Sequence, residues 1–258
     1  MHTPRPGPLV LVPNTLDLGE AEPADIRDVL PDGVLREAAG LAHWVAEDAR
    51  TARAFLKRVG AVHPLHQPLQ AIDIRELPRP PKGRRTGHPG SPVPWAELLV
   101  PALEGHAVGL LSEAGLPAVA DPGAALVAAA HALGVPVRTL PGPSSLLLAL
   151  AASGLNGQNF AFVGYLPQDP AERVQRIREL ETLSRRHAQT QLFIETPYRN
   201  AALLAALLAT LAPTTRLSVS AGLTLAGAFS RTDAVTGWRE RVTDLPAKTP
   251  AVFGLAAA

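Results

Sequence analysis

Two turns constrain this chain more than any other feature. They are Leu111-Ser-Glu-Ala-Gly-Leu-Pro-Ala-Val-Ala-Asp-Pro-Gly123 and, one helix length later, Leu140-Pro-Gly-Pro-Ser-Ser145. Each follows a short apolar run, Ala107–Leu111 and Val135–Leu140, that reads as a strand. Each leads into an alanine- or leucine-rich helix. A strand that ends in a Gly/Pro turn and passes straight into a helix is the building unit of a parallel α/β sheet. Two such turns on neighbouring strand ends make a backbone-lined crevice, the place where open α/β sheets bind ligands. The crevice offers N–H, C=O and small hydroxyls with few charges, which suits a neutral or zwitterionic nucleoside better than a polyphosphate.

The same alternation runs along the chain. Leu9–Val12, Ala42–Ala46, Ala107–Leu111 and Val135–Leu140 read as strands. Ala24–Leu30, Val34–Ala39, Ala49–Val59, Trp95–Leu103 and Ala124–Leu133 read as helices, and His63–Leu69 as extended. The second half changes character. Helices are predicted at Ser145–Ala152, Ala171–Ser184 and Ala201–Leu211, and strands at Phe160–Val163, Thr190–Ile194, Arg216–Ser220, Ala226–Thr232 and Ala251–Leu255. The last strands lie close together, which predicts antiparallel pairing. The expected architecture is two α/β domains, 1–142 and 143–258, the first with a mainly parallel sheet and the second with a mixed one. Pro78–Pro94 is a Pro-, Gly- and Arg-rich stretch that forms no regular element. It reads as a linker, with Arg79, Lys82, Arg84 and Arg85 open to phosphate contact.

Composition removes several function classes. The formal net charge is +1 and aromatics are 4%, which is neither the electrostatic footprint of a protein held mainly on phosphates nor a row of base-stacking platforms. Cysteine is absent, so disulfides, thiolate catalysis and Cys-ligated metals are excluded, and a cytoplasmic location is expected. Met1–Pro8 carries prolines where a signal peptide would need an apolar core, and no apolar run reaches membrane-spanning length, so no membrane partner is expected. The histidines show no ligand spacing, and no metal is predicted.

The two turns, together with Ala46-Glu-Asp-Ala-Arg50, Gly164-Tyr-Leu-Pro167 and Ile194-Glu-Thr-Pro-Tyr-Arg199, occur in an order along nearly the whole chain that resembles the tetrapyrrole-methylase-fold methyltransferases. Within that superfamily the chain is most similar to the bacterial branch that 2′-O-methylates a cytidine of 16S ribosomal RNA. The resemblance implies S-adenosylmethionine (SAM) as cofactor, in a cleft between the two domains. It also implies ribosomal RNA or the small ribosomal subunit as partner, and a homodimer. Alternatives are a tetrapyrrole or other small-molecule methyltransferase, and a SAM-binding paralogue without catalysis.

Carried onto these residues, the resemblance places cofactor contacts at Pro13, Ser112, Ala114, Gly115, Leu116, Val119, Ser144 and Ser145. Gly115 lets a ligand approach the backbone. Family proteins read Ser-Asp-Ala-Gly-Thr-Pro where this chain has Ser112-Glu113-Ala114-Gly115-Leu116-Pro117. Asp121 reads as a helix cap. Glu47, Asp48 and Arg50, at the end of the second strand, are candidates for orienting or deprotonating an acceptor hydroxyl, although Asp48 also suits an N-cap. Arg173, Glu195, Tyr198 and Arg199 are substrate-binding candidates. Arg173 belongs to a helix whose arginines otherwise read as a solvated face, and Glu195 also suits the start of the helix that follows it. Ala201–Leu211 is apolar nearly all round and is expected to be buried on more than one side.

The chain departs from the branch at substrate-facing positions. Asp169 stands where a lysine is usual, Leu223-Thr224-Leu225 lacks the lysine of a Leu-Thr-Lys-like run, and Pro13-Asn14-Thr15 lacks a glycine.

Overall fold

The computed structural model describes residues 5–17, 24–78, 95–241, 244–246 and 248–257. The Pro78–Pro94 stretch, apart from its first residue, lies outside them. Contacts divide the chain into two compact units, Met1–Pro143 and Ser144–Ala258.

The first unit is built on β1 (Leu9–Leu11), β2 (His43–Ala46), β3 (Asp73–Glu76), β4 (Val108–Leu111) and β5 (Val137–Thr139). The pairings are all parallel and give the order β3-β2-β4-β1-β5. β1 connects to β2 by passing over β4, and β4 connects to β5 by passing over β1. The connections therefore leave β1 and β4 in opposite directions, and the topological switch point lies between their carboxyl ends. Helices α1 (Asp32–Ala39) and α2 (Ala49–Gly60) cover one face through a core that includes Val34, Leu35, Trp44, Phe55 and Leu56. Short helices α3 (Trp95–Leu98) and α4 (Val100–Leu103), with α5 (Ala124–Ala132), cover the other through Leu99, Ala102, Leu126 and Ala130. Burial on both faces is why β1 and β4 read as unbroken apolar runs. The Trp44 indole lies over Gly109 in β4, where a Cβ would come within 2.6 Å of the ring.

The second unit contains β6 (Phe160–Tyr165), β7 (Thr190–Glu195), β8 (Arg216–Ala221), β9 (Phe229–Ala234) and β10 (Ala251–Ala256), in the order β6-β7-β10-β8-β9. β6 and β7 are parallel; the other pairings are antiparallel. Helices α7 (Pro170–His187), α8 (Asn200–Thr210) and α9 (Val235–Glu240) pack on one face around the stacked rings of Phe193 and Phe253. Helix α6 (Ser145–Ser153) packs a smaller cluster with Val252 on the other.

The sequence reading needs four corrections. The segment His63–Leu69, expected to be extended, is irregular, and an edge strand falls at Asp73–Glu76. That segment carries three charged residues, because an edge strand bonded on one side tolerates solvent. Ala24–Leu30 forms only a 3₁₀ turn at Ile26–Asp28, and Pro31 caps α1. Trp95–Leu103 divides into two short helices with Leu99 between them. Helix α8 is buried along one side only, through Asn200, Leu203, Leu204 and Leu207, while Ala201, Ala202, Ala205 and Ala209 are exposed. Small alanines make a surface face look apolar without needing cover, so this helix gives no support to a dimer.

Candidate functional site

The switch point in the first unit is closed by hydrogen bonds between loops distant in sequence. Asn14 N–H donates to Gly115 O and Gly115 N–H donates to Asn14 O, each at 2.9 Å. The Asn14 side chain donates to Ser112 O at 3.2 Å and Glu113 O at 2.9 Å, and its Oδ1 accepts from Thr15 N–H at 2.9 Å. Asn14 is buried, so every one of these bonds spares a desolvated polar group. Asn14 thus fixes the β1 turn onto the β4 turn. Pro13 packs against Gly142, where a Cβ would lie 2.3 Å from the proline ring. The turn after β5 therefore closes on the same loop.

Four of the proposed cofactor residues, Ser112, Ala114, Gly115 and Leu116, line up along this β4 turn, with Pro13 across from it. Gly115 has φ +71, and the nearest atom to a Cβ there is Pro143 O at 3.8 Å. The position is thus left-handed and opens into free space. The Ser112 hydroxyl is buried without a hydrogen-bond partner. Val119 is exposed further along the loop, between Ala118 and Ala120, both of which have positive φ (66 and 63). In the second unit Ser144 is the N-cap residue of α6, but its side chain makes no capping bond; Ser145 is exposed.

The acidic–basic trio separates. Asp48 caps α2, accepting from Arg50 N–H at 2.8 Å and Thr51 N–H at 3.0 Å. The Arg50 side chain is 93% exposed and reaches only Asp48, at 3.5 Å. Glu47 instead turns toward the β4 loop, where Glu113 N–H lies 3.4 Å from its Oε2. Burial, with the charges of Glu113 and Asp48, raises the Glu47 carboxyl above its usual range, against the opposing pull of that N–H.

Asp121 joins this group. It is not the cap of α5, whose N-cap is Gly123 with no side-chain bond. It is a half-buried carboxyl pushed up to about 7, first by desolvation and then by the charges of Glu47 and Glu113. Among the described residues, no group of three or more His, Asp or Glu side chains gathers as a metal site would. A carboxyl raised in the folded chain contributes stability below its ordinary value of 3.8, and that contribution is lost as pH climbs through about 7. The full shift corresponds to about 4 kcal/mol, which partial solvent screening reduces to about 1–2 kcal/mol. Asp121→Asn is therefore expected to be more stable than the wild type by that amount at about pH 8, and to flatten the fall in stability above about pH 4. Urea titrations across this range check it; superimposable curves would refute the clustering.

In the second unit the carboxyl ends of the parallel strands β6 and β7 carry the remaining candidates. Glu195 is buried and is bonded by Arg199 Nε at 2.9 Å and Arg199 Nη2 at 2.7 Å. Tyr198 is 79% exposed, with the Arg199 guanidinium 5.5 Å from its ring centre. Arg173 is half-buried on the stripe of α7 that continues to Ile177, and its Nε is buried without a hydrogen-bond partner. Asp169, in place of the expected lysine, caps α7 by accepting from Ala171 and Glu172 N–H, each at 2.9 Å.

Sequence reasoning missed Asn14 as the bolt of the crevice, and missed Glu113 and Asp121 as members of its acidic group. The departure from the glycine-bearing loop was the available signal for Asn14. Nothing local marked Asp121, because its neighbours come from β2 and β4.

Comparisons with known proteins bear on the family and the fold. Residues 38–233 match the model of the Tetrapyrrole (Corrin/Porphyrin) Methylases. The ribosomal RNA small subunit methyltransferase I of Xylella fastidiosa is 34% identical over 177 residues, covering 68% of this chain and 56% of that protein. The protein of the same name from Micromonospora olivasterospora is 44% identical over 115 residues, covering 45% of this chain and 36% of that one. The chain thus spans about half the length of the first relative and about a third of the second. A crystal structure of the methyltransferase CobJ has the same fold, with a TM-score of 0.57 at 18% identity over 98% of this chain and 95% of that one. With the family model matching most of its length and the fold agreeing from end to end, the chain belongs to the tetrapyrrole methylase family.

Proposed function

We propose that this protein is a SAM-dependent methyltransferase acting on ribosomal RNA, with 2′-O-methylation of a 16S cytidine as the specific reaction. The observation that carries the reading is the bolted crevice at the β1/β4 switch point. It presents backbone groups, an open left-handed glycine and an unpartnered buried hydroxyl, Ser112 Oγ. Those features fit a zwitterionic amino-acid nucleoside, which needs close backbone approach and few opposing charges. The relatives' names supply the RNA substrate.

Pro13, Ser112, Ala114, Gly115 and Leu116 would hold SAM. When bound, SAM supplies an electrophilic sulfonium methyl. The chain's own part is to fix the acceptor in line and to handle its proton. Glu47 is placed for that second task, since its carboxylate leans over the β4 turn and Asp48 is occupied as a cap. Arg50, exposed beside it, suits a phosphate contact. Tyr198 and Arg173 are the proposed RNA contacts of the second unit, and Glu195 holds Arg199 beside the Tyr198 ring.

The test is transfer from labelled SAM to undermethylated small ribosomal subunits, with free tetrapyrroles in parallel. Label is expected in the RNA; label in a tetrapyrrole, or in neither, would overturn the substrate. Glu47→Gln is expected to cut transfer by at least about tenfold, the low end for losing a positioned acid–base group, while leaving SAM affinity unchanged. Loss of SAM binding in that variant would move Glu47 into the cofactor site.

A further inference from the structure

The first unit has a cavity of about 310 Å³ beside the crevice, lined by Asn14, Asp17, Thr51, Ala54, Phe55, Arg58 and Glu113. Thr51, Ala54, Phe55 and Arg58 lie at the three- and four-residue spacings of one helix face, so α2 forms one wall. The turns after β1 and β4 form the other. Both walls are held rigidly. Asn14 is bonded on each of its side-chain atoms, as described above. Arg58 donates from Nη1 to Thr15 Oγ1 and from Nη2 to Ala24 O, each at 2.8 Å.

The chemistry of this lining is specific. Each terminal guanidinium nitrogen of Arg58 donates one hydrogen bond to the protein. The Glu113 carboxylate accepts no hydrogen bond from the described residues. An unbonded carboxylate in such a cavity attracts a group that presents N–H. Its volume is at the low end for a ligand site: enough for one heterocyclic base, too little for a tetrapyrrole macrocycle. The methyl groups of Thr51 and Ala54 can lie against a ring, while a carboxylate accepts from an exocyclic amine, as carboxylates do from cytosine N4. RNA offers such an edge when a nucleotide leaves its stack.

We propose that this cavity receives the base of the target nucleotide, that the base carries an exocyclic amino group, and that Glu113 accepts a hydrogen bond from that group. The inference rests on the RNA methyltransferase reading and adds a specificity-determining residue and a place for the base. The cavity shares Asn14 and Glu113 with the loops of the crevice.

The experiment uses the full chain and free nucleosides. Backbone amide signals are followed while cytidine or uridine is added, with adenosine and inosine as a second pair differing in the same amino-for-keto sense. Cytidine and adenosine are expected to shift the signals of Thr51, Ala54 and Glu113. Their keto partners are expected to bind at least about fivefold more weakly, the low end for a mismatch at a base edge. Glu113→Gln, at an exposed position, should erase the preference while retaining SAM affinity. Ala54→Trp fills the cavity from an exposed helix position and should abolish nucleoside binding without changing SAM affinity. Equal affinity for the members of each pair, shifts confined to other residues, or loss of SAM binding in either variant would each overturn the proposal. The methyl-transfer assay is read separately: wild-type protein that binds cytidine but methylates no RNA would sink the proposed function and leave the base site standing.

Discussion

Gly115→Val is expected to bind SAM at least about a hundredfold more weakly than the wild type, a loss of about 2.7 kcal/mol. Two effects converge at this residue. Its φ of +71 is a conformation that a β-branched residue adopts only as an outlier, so valine strains the turn. Its Cβ position meets nothing nearer than Pro143 O at 3.8 Å, so the added atoms project into the open space where the ligand is proposed to lie. The strain also acts on Asn14, because the two residues exchange backbone hydrogen bonds. Gly115→Asn separates the effects, since asparagine tolerates the left-handed region but still carries a Cβ. If steric exclusion is the cause, asparagine too weakens binding while the protein stays near wild-type stability. Calorimetry with SAM and S-adenosylhomocysteine, alongside urea denaturation, gives both quantities. Wild-type affinity in a folded Gly115→Asn protein would show that no ligand approaches this backbone.

The second large effect is expected in stability. Arg199→Ala should destabilise the protein by about 3 kcal/mol, the lower end for breaking a buried ion pair. The side chain of Glu195 is 3% exposed and that of Arg199 20%. Oε1 of Glu195 accepts four hydrogen bonds: from Thr196 N–H at 2.7 Å, from Thr196 Oγ1 at 3.2 Å and two from the guanidinium. Alanine at 199 leaves a buried carboxylate with only the threonine donors. Combining it with Glu195→Gln removes the stranded charge, so the double variant should recover part of the loss. Arg199→Lys keeps the charge but not the paired donors of the guanidinium, and should fall between. A cost below about 1 kcal/mol for Arg199→Ala, the range of exposed pairs, would mean that Arg199 is not locked and is free for ligand binding. Locked, it leaves Tyr198 as the outward-facing member of this motif.

Much of the molecule was legible in the sequence. The apolar runs at Leu9–Val12 and Ala107–Leu111 were readable as strands because burial on both faces demands unbroken hydrophobicity. The turn at Ser112–Pro117 was recognisable as a crevice wall because a glycine there has a backbone reason. The capping capacity of Asp48 was readable because a cap is a contact across three residues. Strand β3, with three of its four residues charged, was not readable, since an edge strand needs no apolar alternation.

The sequence by itself determined the two α/β sheets, the parallel first one and the mixed second one, and the Gly/Pro turns that follow β4 and β5. Those properties follow from local periodicity and turn chemistry, which act over a few residues. Only the tertiary structure decided that β1 and β4 are neighbours, and with that everything the crevice depends on. The Asn14 side chain reaches Ser112 O across 98 positions of chain. Glu47 meets Glu113 across 66. Asp121 acquires its raised carboxyl from charges on both β2 and the β4 turn. Pairing order depends on how whole helices cover a sheet, and desolvation on everything packed around a group. Neither is a property of the residues that show its effect.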